Sequence, residues 1–256
     1  MNSKKIIMLM AILLVIGLIG GLGYGYYKMI FTKTQNPVAT MEIEGYGIVK
    51  IELYPEMAPN TVANFIRLAN RGFYNGLTFH RTIPNFMIQG GDVNGDGTGA
   101  PKLSNIQDEV ENDEAYSIEG EFVANGFKQN TLKHTEGVIS MARGDYSAYG
   151  SSLVKEGYNS AGSQFFIMTG DNSQLNGLYA AFGKVIEGIE IIHQIENVEV
   201  VTRDSSASEG VDKPVNPPVI KNITIETYGV DYGMPKTQKP FDIQQWFMNN
   251  FNTSQQ

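Results

Sequence analysis

The sequence predicts a mainly β fold: a closed barrel of short strands with two helices, preceded by one N-terminal transmembrane helix. Three observations carry this. Eight short runs rich in β-branched and aromatic residues lie between glycine-punctuated turns. Only two stretches repeat their apolar residues at helical spacing. The first 41 residues contain no Asp or Glu and hold one long apolar run. Many short strands with few helices favour closure, because a closed sheet exposes no edge.

Residues 1–5, with Lys4 and Lys5, read as a short cytoplasmic terminus, and the apolar run follows over 6–27. A bilayer span needs about 20 apolar residues, whereas the core of a cleavable signal has about 7–15 and ends at a small-x-small site. The run instead continues through Tyr24, Tyr26 and Tyr27, which suit the membrane interface, and no cysteine is available to receive a lipid. An uncleaved single-pass anchor in the cell membrane is therefore expected. Residues 28–37 form a linker, and the domain over 38–230 lies on the extracytoplasmic side.

Val38 to Tyr54 reads as a hairpin around Gly45-Tyr46-Gly47, with Ile48, Lys50 and Glu52 alternating against Val49, Ile51 and Leu53. Val62, Phe65, Ile66 and Ala69 recur at helical spacing, and Gly72 closes that helix. The remaining strands are expected at Leu77–Ile83, Met87–Gly90, Gly137–Ala142, Gln164–Thr169, Ala180–Val185 and Ile220–Tyr228, and the second helix at Ile189–Ile195. Three polar insertions, 94–129, 144–161 and 203–218, read as surface loops, the first with a short helix near Asn105–Asn112. The tail over 231–256 carries Trp246 among Phe241, Ile243, Phe247 and Phe251, which predicts a small amphipathic helix docked on the barrel.

Beyond Asn36, 27 acidic residues face 15 basic ones, a net charge of −12. Such a surface repels phosphates, so no nucleic-acid partner is expected. The absence of cysteine excludes disulfides and thiol chemistry. Asp92-Val93-Asn94-Gly95-Asp96-Gly97 opens like a calcium loop, but its twelfth position is Leu103 where a bidentate Glu is needed, so a glycine-rich turn is expected. His80, His134 and His193 are scattered and no HExxH occurs, which argues against a metal site. His80 and His134 are expected to be satisfied core histidines. Gly162-Ser163-Gln164-Phe165-Phe166 lacks the second glycine of a nucleophile elbow.

What remains is Phe79-His80-Arg81 with Phe86 to Asp92, which sets one cation and one amide among apolar side chains. Together with Leu132-Lys133-His134-Thr135, Ser140-Met141-Ala142, Gly162 to Phe166 and Phe182-Gly183-Lys184-Val185, in that order, the chain resembles the cyclophilin-type peptidyl-prolyl cis-trans isomerases over about 39–228. The resemblance implies a closed eight-stranded antiparallel barrel capped by two helices, no cofactor, and proline-containing unfolded polypeptides as substrates.

It further implies that Arg81 donates a hydrogen bond to the prolyl nitrogen in the twisted state, with Phe86 and Gln89 beside it as catalytic residues. Phe86, Met87, Phe166 and Leu175 are implied to hold the proline ring, and Ala142 with Gln164 the flanking peptide. Tyr179 stands where the family has a pocket histidine. Arg143 replaces the asparagine usual in eukaryotic members and looks bacterial. Gln174 stands where many members carry tryptophan, so weak cyclosporin binding is expected. A proline-peptide-binding module or holdase with little turnover is the alternative that these departures leave open.

Overall fold

Alternation in Gly47–Leu53 (β2) builds a two-faced strand: Val49, Ile51 and Leu53 are fully buried, while Lys50 and Glu52 remain partly exposed. β2 pairs antiparallel with Val38–Ile43 (β1) across a three-residue turn. The computed structural model describes residues 8, 10, 13–23, 35–201 and 212–251. It divides into two units, 1–35 and 36–256. In the first, residues 13–23 are helical with exposed side chains. Among the described residues no helix is long and apolar enough to cross a membrane. The span expected over 6–27 also takes in 6–7, 9, 11–12 and 24–27, which lie outside the described residues.

In the second unit, Thr78–Ile83 (β3), Met87–Asp92 (β4), Val138–Met141 (β5), Phe165–Met168 (β6), Ala181–Glu187 (β7) and Ile220–Glu226 (β8) complete the eight expected strands. They form one antiparallel sheet in the order β3-β4-β6-β5-β7-β2-β1-β8. The expected closure is not made. β3 and β8 are the two edges; they approach where Thr78 bridges Val219, just before β8, and where Ile220 exchanges backbone bonds with Gly76 and Leu77, just before β3. The chain leading into β8 occupies the edge of β3 instead: Phe79 donates its backbone N–H to Pro218 (2.9 Å) and Thr82 to Asp212 (2.8 Å). The sheet is thus an open, curled half-barrel whose edge is covered by a loop.

Pro59–Asn70 (α1) begins with proline, which loses no bond in the first turn. Its first free N–H groups, those of Asn60 and Thr61, donate to the Glu121 carboxylate at 3.0 and 2.8 Å. It ends at Gly72, whose φ of +71° suits glycine. α1 packs across β8 and buries Val62, Phe65 and Leu68. Phe65 meets Phe165 edge-on at 5.8 Å, and Phe165 meets Tyr74 and Phe79 in the same way.

The insertions are less superficial than expected. Tyr116, Ile118 and Phe122 from the first are buried in the main core. The helix expected near Asn105–Asn112 does not form, and only a 3-10 turn spans Leu103–Asn105. Side chains hold that turn: Asn105 accepts from the Lys102 N–H and Asp113 from the Ser104 N–H. The second insertion carries a short helix, Val154–Tyr158 (α2). Ile189–Glu196 (α3) matches the second expected helix and packs on β2 and the β3–β4 hairpin. The tail helix, Ile243–Phe251 (α4), forms as expected. Its Phe247 meets Tyr149 of the second insertion edge-on at 4.9 Å, so it docks on that loop.

Candidate active site

Register builds the site. Arg81 on β3 is the cross-strand partner of Gln89 on β4, Gln89 of Phe166 on β6, Phe166 of Ser140 on β5, and Ser140 of Ala181 on β7. A second row runs Ile83, Met87, Met168. Direct partners share a face of the sheet, so both rows project from the same side. An apolar cluster separate from the main core covers that side. Met87, Val138, Phe166, Met168 and Ala181 are buried in it, and Phe86, Ala142, Leu175 and Tyr179 line its partly exposed margin. The neighbour Phe165 points the other way, into the main core. All the apolar residues expected at the site are therefore brought together, joined by Ile83, Leu132, Val138, Met168 and Ala181, to which the sequence assigned no role there.

The polar side of the groove is braced by a relay. Gln89 Nε2 donates to Gln164 Oε1 at 3.0 Å, and Gln164 Nε2 donates to the carbonyls of Gly97 and Gly99, also at 3.0 Å. That carbonyl pair is set by the Asp92–Gly97 turn. The buried Asp92 carboxylate accepts the N–H groups of Asp96 (2.8 Å) and Gly97 (2.6 Å), so its oxygens close the turn. Among the described residues no group of three or more His, Cys, Asp and Glu is placed to hold a metal ion.

Arg81 keeps 43 % of its side chain exposed, and its guanidinium lies 3.6 Å from a carboxylate oxygen of Asp212. The sequence offered no sign of this contact, because Asp212 belongs to an insertion with no local pattern. A half-exposed pair contributes about 0.2–1 kcal/mol. Asp212→Asn is accordingly expected to change kcat/KM less than about fivefold, read in an isomerase assay beside the parent chain.

A tight turn joins β3 and β4 at the end of this face. Asn85 holds φ 57°, and Gly170 packs so closely that a Cβ there would lie 2.5 Å from the Asn85 carbonyl oxygen. Glu196 of α3 accepts the Asn85 N–H at 2.7 Å and sits 2.6 Å from His193 Nδ1, while His193 Nε2 lies 3.1 Å from Glu136. The hydrogen bond to Glu196 raises the His193 pKa above its ordinary 6.5; burial opposes the rise, and the charges of Glu196 and Glu136 support it. A raised folded pKa stabilises the fold fully below pH 6.5, and that contribution is lost as pH climbs through the higher folded value. Thermal unfolding scans should show the melting temperature declining across that window. His193→Gln should flatten the decline.

His134, expected as a satisfied core histidine on a strand, lies instead in the coil before β5. Its Nε2 is 3.1 Å from Ser140 Oγ and its Nδ1 3.3 Å from Asn176 Oδ1, and its ring stacks behind Phe166 at 6.0 Å. Burial pushes its pKa below the ordinary value, so the ring is neutral. The Ser-His-Asn order mimics a nucleophilic triad, but Ser140 is fully buried and no substrate carbonyl can reach it. The three residues are a scaffold for Phe166. His80 contradicts the expectation of a satisfied histidine: it is buried on β3, and neither ring nitrogen has a hydrogen-bond partner among the described residues. Burial lowers its pKa, which keeps it neutral.

Arg143 does not project into solvent. Its guanidinium lies over the rings of Tyr179 (4.5 Å), Tyr158 (4.8 Å) and Phe122 (5.7 Å), and it donates to the carbonyls of Leu178 and Gly144. Tyr179 in turn meets Phe166 edge-on at 5.5 Å. Arg143 thus braces the pocket wall from behind, while Gln174 is exposed beside Leu175 at its rim.

Comparison with known proteins agrees with this geometry. The family model described as cyclophilin type peptidyl-prolyl cis-trans isomerase/CLD matches residues 38–229. Peptidyl-prolyl cis-trans isomerase B of Bacillus subtilis is 40 % identical over 159 residues, covering 62 % of this chain and 90 % of the relative. Peptidyl-prolyl cis-trans isomerase-like 2 of Gibberella zeae is 35 % identical over 179 residues, 70 % of this chain but only 25 % of that longer protein. A crystal structure of a Cryptosporidium parvum cyclophilin type isomerase, determined in the presence of the dipeptide Ala-Pro, superposes with a TM-score of 0.56 at 30 % identity, covering 74 % of this chain and 98 % of the other. With most of its length matched in this way, the chain belongs to the cyclophilin-type peptidyl-prolyl cis-trans isomerase family.

Proposed function

We propose that the groove accelerates rotation about Xaa-Pro bonds in exported polypeptides, with Arg81 stabilising the twisted state. Amide resonance opposes that rotation by about 18–20 kcal/mol. Twisting breaks the resonance and returns a lone pair to the prolyl nitrogen, which then accepts a hydrogen bond. A guanidinium is a fitting donor because it stays charged and presents several N–H groups in a rigid fork. With the proline ring seated on Phe86, Met87, Phe166 and Leu175, one side of the bond is held still while Gln89 meets the substrate near the turning carbonyl. No proton has to leave, so positioning and a preorganised field are sufficient.

The observation that carries this reading is the single row of Arg81, Gln89 and Phe166, which puts donor, amide and ring seat side by side on one face. A protease-coupled assay on a short Xaa-Pro peptide tests it, since uncatalysed isomerisation takes tens to hundreds of seconds. The full chain should shorten that phase in proportion to its concentration. A phase of unchanged length together with slower aggregation of an unfolded client would favour the binding-only alternative.

The apolar run over 6–27 extends the proposal to place: a bacterial chain tethered to the cell membrane, with the groove on the outer side. Its length and the lack of acids before Glu42 support this reading. Recovery of the chain in the soluble fraction, or protection of the domain from protease added outside intact cells, would overturn it.

A further inference from the structure

The tail beyond residue 230 lies outside the stretch matched to the family, yet it is tied against the loops beside the groove. Asn60 and Lys236 exchange two hydrogen bonds, from the Lys236 N–H at 2.7 Å and from Asn60 Nδ2 at 3.0 Å. Ser117 and Gln238 exchange two backbone bonds of 2.9 Å, and Gln238 Nε2 donates to the Asn159 carbonyl at 2.8 Å. Just beyond these ties the half-buried Phe241 packs on Tyr146 with ring centroids 5.7 Å apart. The stretch 239–244 is therefore a strap held at both ends, by hydrogen bonds before it and by the α4 contact with Tyr149 after it.

Between this strap and the groove lies a cleft of about 830 Å³. Gln89, Ala142 and Gln164 line one side and the strap lines the other. The first three residues also belong to the proposed substrate groove, so the cleft is continuous with it. A peptide whose proline rests on Phe166 and whose backbone passes Ala142 must place a neighbouring side chain here, because successive residues advance only about 3.3–3.6 Å. The charges around the cleft balance, Glu114 and Asp242 against Arg143 and Lys239, so its field favours neither sign. The rings of Phe241, Pro240 and Tyr146 offer apolar surface on the far wall.

We propose that the strap is the outer wall of a second subsite, and that Phe241 selects substrates with a bulky apolar residue next to the proline-bearing dipeptide. The proposal rests on the groove's reading as a prolyl-peptide site. A small flanking residue leaves the far wall untouched, whereas a bulky one buries its apolar surface against Phe241.

The test compares two Xaa-Pro peptides that differ only in one flanking residue, Phe or Gly, made in both flanking directions. Each is measured for kcat/KM and, separately, for its dissociation constant. The full chain should favour the Phe peptide by about tenfold on one flank. Phe241→Ala should remove that preference while leaving the Gly peptide at its original rate, and Phe241→Leu should restore most of it. Preference that survives in Phe241→Ala, or no preference in the unaltered chain, overturns the proposal. If the chain binds both peptides without turnover, the isomerase reading fails, and the ratio of dissociation constants still decides the role of Phe241.

Discussion

Arg81→Ala is expected to lower kcat/KM on a short Xaa-Pro peptide by about 10²–10³-fold, the usual loss when one preorganised donor to a developing charge is removed. The urea midpoint should stay within experimental error of the parent, because the side chain is nearly half exposed and its ion pair with Asp212 is weak. Arg81→Lys should recover only part of the loss, since an ammonium supplies the charge without the rigid fork of donors. Turnover that remains within tenfold of the parent in Arg81→Ala would remove this residue from the mechanism.

The second large effect separates two adjacent phenylalanines. Phe165→Ala is expected to cost about 3–5 kcal/mol of stability, as for other large-to-small changes in a closed core. Its ring is fully buried and meets Phe65, Tyr74 and Phe79 edge-on. Phe166→Ala removes the floor of the ring seat, so it should reduce kcat/KM at least about tenfold. Its stability cost should be smaller than that of Phe165→Ala, because the cluster around it is partly open and can collapse or admit water. Equilibrium unfolding and kinetics on the two variants check both statements. A Phe166→Ala protein with normal turnover would contradict the assignment of the seat.

The outcome for individual residues shows why some features were legible and others were not. The β1–β2 hairpin, both main helices and the opposition of Phe165 and Phe166 follow from side-chain periodicity, which acts over a few residues. At 105–112 the expected helix is replaced by the turn at Leu103–Asn105, where the side chains of Asn105 and Asp113 hold the N–H groups of Lys102 and Ser104. Those bonds show only when both partners can be located.

Closure of the sheet, the Asp212 contact with Arg81 and the position of the tail depend on segments far apart in the chain, and no periodicity encodes them. His134 illustrates the same limit. Its residue type made a core role reasonable, but its partners Ser140 and Asn176 and its place behind Phe166 come from the packing of β5 and β6 with the chain that follows.

By itself, the sequence determined the strand count, the two principal helices, the acidic surface and the set of residues that carry the family likeness. Those properties depend on local alternation, composition and short motifs. Only the tertiary structure decided that the barrel stays open, that Arg81, Gln89 and Phe166 fall in one row, and that the strap at 239–244 walls a cleft beside them. Register and long-range contact set these features. A shift of one residue in pairing would turn each of those side chains to the opposite face without changing a letter of the sequence.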